Sequence, residues 1–270
     1  MTAHRRRRDT RGAVRGPGGS PSNKGRILDW ILPSVRRGPQ YWVLLDPDDH
    51  TVGAGADIAR KAEDAGADVV LVGGSLLRTS HLDEFVSEVR SAVHIPVVLF
   101  PGDATQVSRH ADALLFLSLV SGRNPVNLIG EHVKAAFPIK RMGIEPIPTA
   151  YLLIESGMVT SVEFMSDTRP IPRAKPMIAA AHALAAQYMG MKLIYLEAGS
   201  GAREPVPNDM IAEVKKQIEI PVIVGGGIRD AKTAEEKVAS GADIIVTGNL
   251  LKHPGGVEKM GRIARAVKKG

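Results

Sequence analysis

The sequence has no cysteine among its 270 residues. That excludes a disulfide framework and thiol catalysis, and it suits a reducing cytosol. Hydrophobic residues make up 44%, enough for a full core. No apolar run approaches the roughly 20 residues that span a bilayer, and residues 177–186, the longest helical apolar stretch, are broken by His182. No secretory h-region follows the basic start. Also missing are an HExxH pair, a metal-ligand histidine cluster, a nucleophile elbow and a Walker loop. The histidines His50, His81, His94, His110, His132, His182 and His253 are scattered and read as surface or core residues.

Charge is not scarce, but it is uneven. The formal net charge is +6 and the pI about 9.6. The excess sits early, in the run Arg5–Arg8, followed by a Gly, Pro and Ser-rich stretch to Lys24. Residues 1–24 are therefore expected to be a disordered basic tail. The remainder is close to charge-balanced, so no nucleic-acid partner is expected. Residues 25–270 form one expected domain, a size that suits a (β/α)8 TIM barrel of roughly 250 residues.

What is present is a repeated ending. Residues 193–201 read L-I-Y-L-E-A-G-S-G, 222–227 read V-I-V-G-G-G, and 244–249 read I-I-V-T-G-N. Each is a buried-type strand running into glycine. Glycine lets backbone N–H groups approach an anion closely. Three such ends, one βα unit apart, predict a phosphate cup at the C-terminal face of a barrel.

The rest of the chain supplies the other strands: 42–45, 68–72, 96–100, 113–117 and 144–147. Continuous apolar strands alternating with helices belong in a covered parallel sheet. Residues 26–32 predict a short helix closing the barrel bottom. Leu82, Phe85, Val86, Val89 and Val93 mark an amphipathic helix. The interval between the third and fourth strands is too short for a crossover helix, so a loop replaces the third helix. Residues 151–155 and 160–164 read as a hairpin extension of the fifth strand. Pro176 opens a long helix ending before Gly190, and Asp230 caps the helix after the seventh strand.

Residues at strand ends build the site in such barrels. Asp46 ends the first strand and Ser75 follows the second. A carboxylate and a hydroxyl on neighbouring strands suit one Mg2+, a hard cation that keeps several waters and prefers substrate phosphates. A turn-and-cap role for Asp46 and Asp48 is the plainer alternative. Tyr195 and Glu197 alternate with Ile194 and Leu196 and so share one face. Glu197 can accept a hydrogen bond from a substrate hydroxyl and help remove its proton. A structural ion pair is its plainer alternative.

Several stretches together resemble one family, the geranylgeranylglyceryl phosphate synthases of the group II kind, found mainly in archaea. They are L-L-D-P-D at 44–48, V-G-G-S at 72–75, L-F-L-S-L-V-S-G-R-N-P at 115–125, E-P-I-P-T-A-Y at 145–151 and S-D-T-R-P-I-P at 166–172. The block G-M-K-L-I-Y-L-E-A-G-S-G-A, with V-G-G-G-I-R and T-G-N, completes them. The resemblance implies a cytoplasmic prenyltransferase. In that reaction the C3 hydroxyl of sn-glycerol 1-phosphate attacks C1 of geranylgeranyl diphosphate, releasing diphosphate and making the first ether of archaeal membrane lipids. It also implies Mg2+ held by Asp46 and Ser75. The glycerol phosphate would be held by Tyr195, Leu196, Glu197, Ala198, Gly199, Ser200, Gly201, Gly226, Gly227, Gly248 and Asn249, with Glu197 and Tyr195 catalytic. The prenyl tail would lie in an apolar groove beside the missing third helix. Members are often homo-oligomers, for which Trp30 or Trp42 could serve, with burial in the monomer the equal alternative for both, and lipid substrates imply peripheral membrane contact. One departure is Asp49, where the family usually has lysine.

Alternatives remain at this stage. One is the same barrel with 3-phosphoglycerate as acceptor or another prenyl length. Another is a phosphate-binding isomerase, which needs an acid–base pair. A third is a non-catalytic nucleic-acid binder using the arginine tail.

Overall fold

The computed structural model describes residues 26–248, 250 and 255–270. The basic tail lies outside the described residues, as do Asn249 and His253. In chain order the elements are α1 (Ile27–Arg37), β1 (Gln40–Leu45), α2 (Val52–Asp64), β2 (Val69–Val72), α3 (Leu82–Ala92), β3 (Val97–Leu99), β4 (Ala113–Leu119), α4 (Glu131–Met142), β5 (Glu145–Leu153), α5 (Ser161–Ser166), α6 (Pro176–Tyr188), β6 (Leu193–Glu197), α7 (Asn208–Gln217), β7 (Val222–Gly225), α8 (Ala231–Ala239), β8 (Ile244–Thr247) and α9 (Gly256–Val267). The strands close into a barrel in sequence order. Every neighbouring pair is parallel, and β1 pairs with β8 through Trp42 and Val246.

Strand alternation divides the core in two. On β1, Tyr41, Val43 and Leu45 face the surrounding helices, while Trp42 faces the barrel interior. Both faces of each strand are thus covered, which is why the strands read as unbroken apolar runs. The floor of the interior is α1, whose Ile27, Leu28 and Ile31 pack with Trp42, Leu115, Leu193 and Ile244. The expected bottom helix is therefore present, but it continues past Leu32 through an exposed Pro33. Its first N–H groups have no partner within the helix. The Glu145 carboxylate at the start of β5 accepts from the Ile27 and Leu28 amides and supplies one. Trp42 is fully buried, and its indole N–H donates to Gln40 Oε1 at 2.8 Å. Of the two readings of Trp42, burial within the barrel is the one observed.

Between β3 and β4, residues 101–112 form turns and no helix, as the short interval requires. The loop is pinned. Gln106 accepts from Gly102 N and donates to Gly74 O, and Asp112 accepts from Val97 N and Arg90 Nε.

The hairpin reading is overturned. Residues 145–153 are one continuous strand and 161–166 are helix. Pro146 and Pro148 sit in this strand because their missing donors face β6 before it begins; its pairing starts at Thr149↔Leu193. Thr160 then opens α5 by accepting from the Glu163 amide at 3.5 Å. Asp230 caps α8 through the Thr233 amide at 2.8 Å, as expected.

Candidate active site

The C-terminal strand ends enclose a cavity of about 470 Å³. Asp46, Ser75, Glu197, Gly199, Ser200, Gly201, Gly226, Gly227 and Gly248 all line it. Alternation decides which β6 residues reach it. Glu197 and Tyr195 face inward, whereas the side chains of Leu196 and Ala198 belong to the outer core, which leaves those two only their backbone to offer a ligand. Ala198 also spends its amide on Gly225 O at 3.1 Å. Tyr195 lies one layer below the cavity, fully buried.

The two halves of D-P-D have different tasks. Asp48 accepts from the Arg78 and Thr79 amides, both at 2.8 Å, and from Arg78 Nε at 3.3 Å. It fastens the β2–α3 loop to the β1–α2 loop, and those bonds hold its carboxyl below the usual range against the opposing effect of desolvation. Asp46 accepts from the Asp48 amide at 3.0 Å and packs on bare backbone. A Cβ on Gly74 would come 2.7 Å from Asp46 Oδ2. That places a carboxylate on the loop that presents Ser75. No group of three or more His, Asp or Glu that could hold a metal occurs among the described residues. The donors here suit an ion that takes a carboxylate and a hydroxyl from protein and the rest from water and phosphate.

Glu197 is buried and accepts from the Gly199 amide at 2.5 Å. Burial pushes its carboxyl up to about 7, in the range that suits a general base. Room for it comes from glycine: a Cβ on Gly225 would lie 2.6 Å from Tyr195 Oη and 2.7 Å from Glu197 Oε2. The Tyr195 hydroxyl sits beside that carboxylate but off hydrogen-bond geometry, and burial raises its pKa well above the usual phenol value. Tyr195, Tyr151 and Phe100 form an aromatic cluster with centroids 5.3 to 6.1 Å apart.

A second, apolar cavity of about 290 Å³ adjoins the first. Gly74, Ser75, Leu76, Phe100, Tyr151 and Val162 line both. It runs between β4, α4 and the 101–112 loop, past Val107, Leu114, Ala135 and Ile139. His132 is buried in its wall, edge-on to Phe116 at 4.5 Å, and desolvation lowers its pKa, which favours the neutral imidazole. Reading individual motifs did not single out Phe100, Tyr151 or Arg78, which also line these cavities. The signal for Tyr151 was present in the E-P-I-P-T-A-Y run.

The PcrB family pattern matches residues 34–269. The chain belongs to this family. The geranylgeranylglyceryl phosphate synthase of Thermococcus kodakarensis is 48% identical over 236 residues, 87% of this chain and 93% of that protein. That of Chitinophaga pinensis is 50% identical over 212 residues, 78% of this chain and 84% of that protein. Among solved structures, (S)-3-O-geranylgeranylglyceryl phosphate synthase from Thermoplasma acidophilum in complex with sn-glycerol-1-phosphate aligns with a TM-score of 0.87. It is 38% identical, and the match covers 91% of this chain and 100% of that one. A thiamine phosphate pyrophosphorylase from Pyrococcus furiosus, at 16% identity and TM-score 0.57, shares the fold.

Proposed function

We propose that this chain is a geranylgeranylglyceryl phosphate synthase. It joins the C3 hydroxyl of sn-glycerol 1-phosphate to C1 of geranylgeranyl diphosphate. The observation that carries this reading is the junction of two unlike cavities at Ser75, Phe100 and Tyr151. A phosphosugar isomerase has use for the glycine cup but none for the apolar groove. A prenyltransferase needs both, meeting where the allylic carbon reacts.

The glycine-rich backbone at 199–201, 226–227 and 248 holds the acceptor phosphate through N–H groups. This leaves the glycerol C3 hydroxyl near Glu197. The isoprenoid lies in the groove, with its diphosphate toward Asp46 and Ser75. The C1–O bond to diphosphate breaks as the C3 oxygen bonds to C1, and Glu197 accepts the hydroxyl proton. Phe100 and Tyr151, which line both cavities, put aromatic rings near the positive charge developing at C1. Holding both reactants in one junction supplies most of the orientation the reaction needs. Mg2+ held by Asp46 and Ser75 would neutralise charge on the leaving diphosphate. Asp49 withholds the cation expected after D-P-D, and Arg78, positioned by Asp48, brings one to the same cavity. No helix among the described residues is long and apolar enough to cross a membrane. The enzyme works in the cytoplasm and meets its lipid substrate peripherally.

The test is transfer of label from sn-glycerol 1-phosphate into organic-soluble product, with geranylgeranyl diphosphate and Mg2+. Wild type should form product, and Asp46→Asn should lose ~100-fold or more in rate, the several kcal/mol that a lost metal site removes. Full activity in the variant would sink the metal assignment. Product only with farnesyl or longer donors, or only with 3-phosphoglycerate, would replace the donor or acceptor named here.

A further inference from the structure

The β6–α7 loop, residues 198–207, is one wall of the glycine cup, since Gly199, Ser200 and Gly201 line the cavity. Both of its glycines have left-handed backbone, Gly199 at φ +99 and Gly201 at φ +73. Glycine gives a free loop many conformations to lose on ordering. Something must hold this one if its amides are to wait in place. Ala202 and Val206 are buried and anchor it to the outer core. The rest is polar backbone, whose carbonyls need partners.

Two arginines from the neighbouring connections supply them. Arg229, two residues after Gly227 in the G-G-G-I-R run, spreads its guanidinium over adjacent carbonyls. Nη2 donates to Ala202 O at 2.5 Å and Nη1 to Arg203 O at 3.3 Å. Ile228, buried in the outer core, fixes the residue before it. Arg173, between α5 and α6, reaches the same loop from the β5 side. Its Nη1 donates to Pro205 O at 2.9 Å and to Glu155 O at 3.1 Å. Its Nε pairs with Glu204 Oε2 at 3.0 Å, and the Glu204 amide donates to Ser156 O at 3.2 Å. The clasped stretch bears directly on the cup. The Ala202 amide donates to Gly199 O at 3.1 Å, and a Cβ on Gly227 would come 2.9 Å from Pro205 N. A shift at 202–205 is therefore felt at both Gly199 and Gly227.

We infer that Arg229 and Arg173 are positioning residues for the acceptor phosphate. They clasp the β6–α7 loop between the connections that follow β5 and β7, and so hold its amides in place before the phosphate arrives. Ordering a loop in advance raises affinity, because binding no longer has to order it. Arg229 acts through the loop, since both of its terminal nitrogens are occupied by carbonyls. A planar fork suits two adjacent carbonyls, and the compact ammonium of lysine does not. The inference rests on the acceptor phosphate lying in the glycine cup, and not on what the acceptor is joined to.

Calorimetric titration of the full chain with sn-glycerol 1-phosphate, and with inorganic phosphate as a second probe, reads the cup without turnover. Arg229→Ala and Arg173→Ala should each bind glycerol phosphate about tenfold more weakly, the scale of lost preorganisation. Circular dichroism and the donor KM should not change. The double variant should lose less than the product of the two losses, since both clasps hold one loop. Arg229→Lys should bind as weakly as Arg229→Ala. Millimolar guanidinium should restore Arg229→Ala, and methylammonium at the same ionic strength should not. Wild-type affinity in either alanine variant overturns the clasp. A donor KM that rises in step with the acceptor's shows general damage and overturns it as well. Affinity kept by Arg229→Lys, or rescue by methylammonium, also overturns it and makes Arg229 a charge acting on the phosphate itself. A wild type that binds neither probe overturns the cup along with the clasp.

Discussion

Gly226 has φ +80, and a Cβ there would run into Glu197 Oε1 and come within 2.7 Å of the Gly199 amide. One methyl group therefore disturbs both the base and the cup. Gly226→Ala should raise the KM for glycerol phosphate ~10- to 100-fold, as displaced site geometry commonly does. It should also destabilise the fold by about 1–2 kcal/mol for the left-handed backbone. Calorimetric titration with glycerol phosphate and a thermal melt check the two effects, and unchanged affinity would remove Gly226 from the cup. The same scale separates Asp46 from Asp48, two carboxylates two residues apart. In the sequence both stand at a strand end, where Asp46 was expected to hold a metal and a turn-and-cap role for the pair was the plainer alternative. The loop partners of Asp48, the Arg78 and Thr79 amides, give it a fastening role, while Asp46 accepts from the Asp48 amide as the turn reading expects, and both line the cavity.

Elements explain what the sequence revealed and what it hid. The strands were legible because burial on both faces writes itself as a local apolar run. The missing crossover was legible because only residues 100–112 separate β3 from β4. The hairpin was misread because Thr160 to Phe164 has the branched and aromatic content of a strand, while the cap that starts α5 depends on the placement of one hydroxyl. The side chains of Leu196 and Ala198 turn to the outer core because a strand shows alternate residues to opposite sides, which a contiguous motif does not display. The groove was inferred from the resemblance and the missing helix rather than from its residues. Its walls come from the 101–112 loop, β4 and α4, so no single window contains it. Ala135 tests its depth. It is buried on the inner face of α4 and lines the groove. Ala135→Trp should fill space that a long isoprenoid needs and shift preference toward shorter donors. Competition between geranylgeranyl and farnesyl diphosphate reads this directly. An unchanged product ratio would place the isoprenoid elsewhere.

At the scale of the whole molecule, the barrel carries a carboxyl it would be more stable without. The ordinary value for Glu197 is 4.5, and in the fold it is about 7. Between those values the folded protein holds a proton that the unfolded chain has released. Raising the pH through this window therefore lowers stability. Above about pH 7 the full penalty applies, on the order of 3 kcal/mol for a shift of this size. Glu197→Gln keeps the shape and removes the titration. It should melt higher than wild type at pH 8, by roughly 5 °C or more for a domain of this length, and melt with it near pH 4.5. Its turnover should fall, while wild-type turnover rises with pH through about 7 as the base loses its proton. Thermal melts at the two pH values and a pH–rate profile measure this. A variant less stable than wild type at pH 8 would mean that the Gly199 hydrogen bond outweighs burial. A variant both more stable and nearly inactive would show that this carboxyl is retained for proton removal at a cost to the fold.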